Sequence, residues 1–220
     1  MGQKVNPFGF RLGTLYTWKS RWFANNQDYR KFLIQDVKLR QHLMESLKSA
    51  GVVNVEIERS IKKVKITIHV SRPGVVIGRG GASLEKLNTE IKKRLNIDLN
   101  QKGPNAIKVE IRVEEVKNPE IQARLVAQHL SDQLLRRYPH RRAIAQALQK
   151  AMDGGAKGIK IQLSGRIGGA EIGRQEKYFK GNVPTQTLRA DIDYAQIPSP
   201  TRSGYVGIKV WIFKGEKKIK

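Results

Sequence analysis

The sequence contains no cysteine. That absence removes disulfide scaffolds, zinc ribbons and thiol nucleophiles together, and it suits a reducing compartment. Acidic residues are scarce as well: 19 aspartates and glutamates stand against 42 lysines and arginines, a formal net charge of +23 over 220 residues. A field of that size exceeds what solubility needs and selects a polyanion, whether nucleic acid, an anionic membrane surface or an acidic protein. Long apolar runs are missing. No stretch approaches the ~20 residues of a membrane-spanning helix, and the opening residues carry Gly2, Pro7, Gly9 and Gly13 where a secretory signal has its apolar core. The reading is of a soluble protein that enters no membrane. His42, His69, His129 and His140 are scattered and form no ligand spacing, so neither a metal site nor a cofactor is expected.

What is present favours two compact domains, since 220 residues at 39% hydrophobic content leave room for two cores. Residues 1–16 are basic, aperiodic and punctuated by glycine and proline, and read as an extended arm that docks elsewhere. Past the aromatic segment Trp18, Trp22 and Phe23, helical spacing of Phe32, Leu33, Val37, Leu43, Met44 and Leu47 predicts helix over 26–50. Asp36 is expected to cap a second helix there and Gly51 to end it. Val53, Val55 and Ile57 alternate in one strand, and Val64, Ile66, Ile68 and Val70 in the next. A short helical turn follows from Pro73, then a helix from Ala82, then a KGPN turn at 102–105 and a strand through Ile107, Val109, Ile111 and Val113. This α-β-β-α-α-β order occupies 17–116. Over 117–220, Asn118 and Pro119 start a helix that Pro139 breaks, and a second helix carries Ile144, Leu148 and Met152. Alternation at 159–163, 188–194 and 206–213 completes a small α+β domain with a short basic tail.

The sharpest motif is Val75-Val76-Ile77-Gly78-Arg79-Gly80-Gly81. In a GxxG turn between two short helices, Gly78, Gly80 and Gly81 carry no Cβ to hold off a nucleic-acid backbone, and Arg79 offers a cation to phosphate. As a bare string this is also an ordinary glycine-rich turn. Its place between strand-helix and helix-strand, behind α-β-β, gives it the element order of a type II KH domain. Other phosphate loops do not fit. A Walker A loop needs Gly-Lys-Ser/Thr, which does not occur nearby, and a dinucleotide fingerprint fails at Ser83 and lacks a βαβ crossover. A second constellation, Arg136-Arg137-Tyr138-Pro139-His140-Arg141-Arg142, sets four arginines at a helix break with no acidic residue from Gln133 to Gln149. Guanidinium forks match phosphate and stack on bases, so on a chain this basic the run reads as RNA contact ahead of a solvated charge run. Asp191 and Asp193 place two carboxylates on one side of a predicted strand about 7 Å apart, as a catalytic pair does. Arg189 on that face makes salt bridging the simpler use. Trp18, Trp22 and Trp211 suit a core or domain joint better than a stacking platform.

Five stretches in the same order, MGQKVNPFGFRL (1–12), VVIGRGG (75–81), GRIGGAEI (165–172), VPTQTLRADIDYA (183–195) and VGIKVWIFKGE (206–216), closely resemble the family of the bacterial-type third protein of the small ribosomal subunit. The resemblance covers nearly the whole chain. It implies an N-terminal type II KH domain, a C-terminal α+β domain and a non-enzymatic, structural place in the subunit head, bound to small-subunit rRNA. It further implies neighbours among the head proteins, the tenth and fourteenth, and a position lining the channel by which mRNA enters. There, arginines matching Arg141 and Arg142 help to unwind structured messages. A third basic position of that cluster, lysine in relatives, is Ala145 here, so a weaker contact is expected, with Arg136 and Arg137 compensating. The chain stops soon after Glu216, short of the polar tail many relatives carry, and the fold is expected not to depend on that tail. The expected location is the ribosome of the cytoplasm, with plastid stroma as the alternative. A free-standing KH-type RNA-binding regulator is the alternative function, and a nuclease built on Asp191 and Asp193 comes third. No small-molecule substrate is expected.

Overall fold

Alternating strands and amphipathic helices bury their apolar faces by stacking in layers, and this chain does so twice. The computed structural model describes residues 4–95 and 108–217; the KGPN turn, Ile107 and residues 1–3 and 218–220 lie outside the described residues. There are two compact units, Trp18–Lys117 and a discontinuous one joining residues 4–17 to 118–217.

Residues 4–16, the described part of the segment expected as an extended arm over 1–16, are folded. Asn6 caps α1 (Pro7–Phe10), its side-chain oxygen accepting from the Phe8 N–H at 2.9 Å. Arg11 is fully buried. Its guanidinium donates to the carbonyls of Pro7 at 3.0 Å, Thr185 at 2.9 Å and Thr187 at 2.9 Å, and burial lowers its pKa. Phe8 stacks on Tyr16, whose hydroxyl donates to Asp191 at 2.6 Å. A polar, glycine-punctuated segment orders when its buried cation finds carbonyl acceptors, and nothing in the arm's own sequence announces acceptors so far along the chain.

The unit Trp18–Lys117 contains β1 (Ser20–Arg21), α2 (Asn26–Ser46), β2 (Val52–Ser60), β3 (Lys63–Val70), α3 (Pro73–Ile77), α4 (Ala82–Arg94) and β4 (Lys108–Glu115). Its sheet has the order β1-β2-β3-β4. β2 and β3 are antiparallel, with Ile57 opposite Ile66, while β3 and β4 are parallel, with Ile66 beside Ile111. Leu39 and Leu43 of α2 and Ile91 of α4 close over Ile57, Ile66 and Ile68. Two expectations fail locally. α2 is a single helix, and Asp36 lies within it instead of capping a second one. Asp36 is 1% exposed, pairs with Arg59 and accepts the Trp22 Nε1–H at 2.8 Å, so it satisfies buried donors, not a helix end. In β2, a register shift between Val52 and Asn54 puts Val52 into the core in place of Val53, because one extra residue reverses the alternation.

The other unit continues with α5 (Ala123–Leu135), α6 (His140–Asp153), β5 (Gly158–Gly165), β6 (Arg174–Gly181), β7 (Ala190–Thr201) and β8 (Gly204–Glu216). The strands pair antiparallel in the order β6-β5-β8-β7. Ile159, Ile161, Leu163, Ile208, Val210 and Ile212 face Ala127, Leu130, Ile144 and Ala147 of the two helices. The first long helix starts later than expected: Pro119–Ile121 form a 3-10 turn, Asn118 gives no side-chain cap, and the Ala123 N–H donates to Asp193 at 2.9 Å. β6 was not expected. Its RQEKYFKG sequence is too polar to alternate visibly, which suits a strand at a sheet edge.

Candidate nucleic-acid interface

The glycine turn is built by termination. α3 is one turn long, begun by Pro73 and closed where the Gly78 N–H donates to the Gly74 carbonyl at 2.9 Å. Gly78 then takes φ +72°, ψ −179°, a region open essentially to glycine alone, and a Cβ there would come within 2.8 Å of the Ser83 Cβ. Gly80 and Gly81 also have positive φ, and a Cβ on either would meet nothing within 4 Å. The turn is therefore open space bounded by backbone. Arg79 is exposed at its tip and makes no ion pair among the described residues. A one-turn helix cannot bury three successive side chains; Val76 goes inward while Val75 and Ile77 stay 47% and 42% exposed. Both belong to the motif read from the sequence, where they count as helix residues and not as contacts.

The arginine run lies in the other unit, where α5 gives way to α6. The Tyr138 N–H donates to the Gln133 carbonyl and the Arg137 N–H to Leu134, each at 3.0 Å, which is the Schellman pattern with Arg137 at the left-handed position usually held by glycine. Among non-glycine residues described, Arg137 is alone in having positive φ, at 57°. Arg141 and Arg142 occupy the first turn of α6, which has no acidic residue and no side-chain cap. Cations at a helix N-terminus oppose the macrodipole. Three local preferences are thus set aside at one break, and such exceptions point to function over stability. Arg136, Arg137, Arg141 and Arg142 are all exposed, and Ala145 is exposed one turn beyond Arg141. The Tyr178 hydroxyl donates to Glu176 at 2.6 Å. Glu176 also accepts from Arg174 at 2.6 Å and has the His140 ring 3.2 Å away, and hydrogen bonds from Tyr178 first and Arg174 next hold its carboxyl below the usual range.

Beside the break a cleft of about 700 Å³ is lined by Arg137, Arg166 and Arg202 with Tyr138, Ile167 and Val206, and no carboxylate lines it. Arg166 is held there by carbonyls of Ala170 at 2.8 Å and Ser203 at 3.4 Å. Neither Arg166 nor Arg202 was singled out, since each is an isolated cation in sequence. The aspartate pair has no free catalytic geometry: Asp191 binds Tyr16 and, at 2.6 Å, Lys217, while Asp193 binds the Ala123 amide and Lys214. Arg189, the expected partner, pairs with Glu216 at 3.1 Å.

Residues 38–121 match the KH domain family and residues 130–212 the family described as ribosomal protein S3, C-terminal domain. The chain is 47% identical over 216 residues to the small ribosomal subunit protein uS3 of Caldicellulosiruptor saccharolyticus, covering 98% of this chain and 93% of that one. It is 49% identical over 217 residues to the uS3 of Persephonella marina, covering 99% and 92%. With the uS3 of Pseudomonas aeruginosa it shares 49% identity over 216 residues, covering 98% and 90%. With its α+β architecture of an N-terminal KH domain and a C-terminal antiparallel-sheet domain, the chain belongs to the ribosomal protein S3 family, whose members are ribosomal proteins and not enzymes.

Proposed function

We propose that this chain is a structural constituent of the small ribosomal subunit that clamps RNA through both of its domains, residues 17–116 and 117–220. Gly78, Arg79, Gly80 and Gly81 admit an RNA backbone to the first, and Arg136, Arg137, Arg141 and Arg142 hold phosphates on the second. The observation that carries this reading is the helix break, where four exposed arginines gather with no carboxylate partner among the described residues, Arg141 and Arg142 against the helix dipole and Arg137 against backbone preference. Lysines and arginines neutralise phosphates and release counterions, while the glycine turn and apolar contacts set register. The rRNA of the subunit head is the main ligand and neighbouring head proteins, the tenth and fourteenth, are the protein partners. Arg141 and Arg142 meet mRNA as it enters. The bacterial relatives support a cytoplasmic ribosome.

The test has two arms. Arg79→Asp with Gly80→Asp should weaken rRNA binding, because the new carboxylates repel phosphate, while the fold is retained at a cost of ~1 kcal/mol: Arg79 is exposed and a Cβ at Gly80 meets nothing, so only the left-handed backbone there is strained. Arg141→Ala with Arg142→Ala should slow translation through stable hairpins more than through unstructured messages, and Ala145→Lys should strengthen unwinding. Equal slowing on both kinds of message would leave these arginines as rRNA anchors only.

A further inference from the structure

The face of the second sheet opposite α5 and α6, part of which the arm covers, has a composition that the glycine turn and the helix break do not use. Register fixes its rows. Lys160 lies between Phe179 of β6 and Trp211 of β8, and Trp211 is opposite Tyr194 of β7. In the next row Lys177, Gln162, Lys209 and Gln196 follow one another across all four strands. Beyond it come Gln175, Ser164, Gly207 and Pro198. These twelve positions include three lysines, three aromatics and no acid. The nearby carboxylates Glu176 and Asp193 belong to the helix-side face, where Tyr178 and the Ala123 amide donate to them.

The aromatic row is graded in exposure. Trp211 is 7% exposed and lies 5.2 Å from Tyr194 between ring centroids, with the Lys160 ammonium 5.5 Å over its ring. Phe179, at the edge of the same row, is 74% exposed. Burial first, and then the charges of Lys4 of the arm and Lys177, lower the pKa of Lys160. Like charges gathered without a counter-ion beside an open aromatic ring carry an electrostatic cost unless a polyanion completes the surface. A flat ring at the end of a lysine-bearing sheet offers what a splayed base requires: a stacking surface, nearby cations for phosphate, and amides for base edges. An acidic protein segment would use the lysines and leave the ring idle.

We infer that this face, with Phe179 as stacking platform and Lys160, Lys177 and Lys209 as phosphate contacts, is a binding surface for single-stranded RNA, separate from the glycine turn and from the arginine break. The test uses the full chain and a labelled single-stranded oligouridine containing 4-thiouridine, followed by anisotropy and photocrosslinking. Phe179→Ala should weaken binding about 5- to 150-fold, the loss expected for one stacked base, and Phe179→Tyr should bind like the parent because it keeps the ring. Crosslinks should fall within residues 174–181. Unchanged affinity in Phe179→Ala, crosslinks absent from that strand, or equally good competition by polyglutamate would each overturn the inference, the last by assigning the face to acidic protein. Arg79→Asp/Gly80→Asp and Arg141→Ala/Arg142→Ala are measured in parallel. If they lose binding and Phe179→Ala does not, the sheet surface falls and the proposed function stands; if Phe179→Ala loses it and they do not, the sheet surface stands and the other two contacts fall.

Discussion

The two sheets are alike in build and opposite in electrostatics. Each has four strands with helices packed on one face. On the first, cations are interleaved with acids: Arg21 meets Glu56 and Glu58 at 3.3 Å, Lys65 meets Glu58 at 3.3 Å, Arg112 meets Glu110 at 2.7 Å, and Lys63 also pairs with Glu110. His69 lies between Glu56 and Glu114. On the second, the lysine and aromatic rows carry no acid. A net charge of +23 is therefore not a measure of ligand-binding capacity spread over the surface. Cations already paired within the fold release fewer counterions on binding RNA than unpaired ones, and the places to look for RNA are those left after the paired ones are set aside.

The comparison breaks hardest at Asp36. Its carboxylate is the buried partner of Arg59, with side chains 2% and 10% exposed. Asp36→Ala should cost the first unit about 3–5 kcal/mol, the penalty for leaving a buried charge unpaired, measured by urea unfolding. No single cation on the second sheet's outer face should approach that. The next contrast is in salt dependence. Lys177→Ala with Lys209→Ala should lower the magnitude of the log-log salt slope of RNA binding by about 1.4–1.8, the value for two phosphate contacts. Lys63→Ala with Lys65→Ala should leave that slope nearly unchanged, and equal losses in both double variants would erase the distinction between the sheets. A smaller effect, of opposite sign for stability and for binding, is expected at the helix break. Arg137→Gly should stabilise the fold by about 0.5–1 kcal/mol by relieving the left-handed residue, while weakening RNA binding. The smallest effect concerns acid. Hydrogen bonds from Lys63 and then Arg112 lower Glu110 from its ordinary 4.5 to about 2. A depressed carboxylate stabilises the fold above the ordinary value and loses that contribution as pH falls through its folded value. The side-chain carboxyl resonance of Glu110 should therefore titrate near the lower figure, and a midpoint near the ordinary one would show the ladder on the first sheet to be loose.

Local rules made most of the fold legible and left particular elements hidden. The α-β-β-α-α-β order and the glycine turn could be read because each depends on residues close in sequence: alternation, a proline start and glycine breaks. β6 could not, because RQEKYFKG gains its strand conformation from the ladder to β5 and not from its own pattern. Asp36 looked like a cap because its true partners, Arg59 and Trp22, are 23 and 14 residues away. At the arginine break the sequence located the cations, whereas the left-handed Arg137 and the cleft shared with Arg166 and Arg202 required the chain to be folded. Phe179 was passed over for the tryptophans, and yet Trp211 is the buried ring of that row and Phe179 the open one.

The burial of Arg11 has a consequence in time. Apart from that of Pro7, its carbonyl acceptors begin 173 residues further along the chain, so during synthesis at ~5–20 residues per second the arm waits about 9–35 s before they exist. The unit Trp18–Lys117 has all four of its strands by then. The discontinuous unit does not, because β8 lies between β5 and β7 and is made last. The arm thus leaves the synthesising ribosome well before the strands that fix it, and until β7 and β8 arrive Arg11 is without its lock. A nascent chain arrested before β7 should carry one finished domain and a protease-sensitive arm, and completion of β8 should protect the arm and that strand at once.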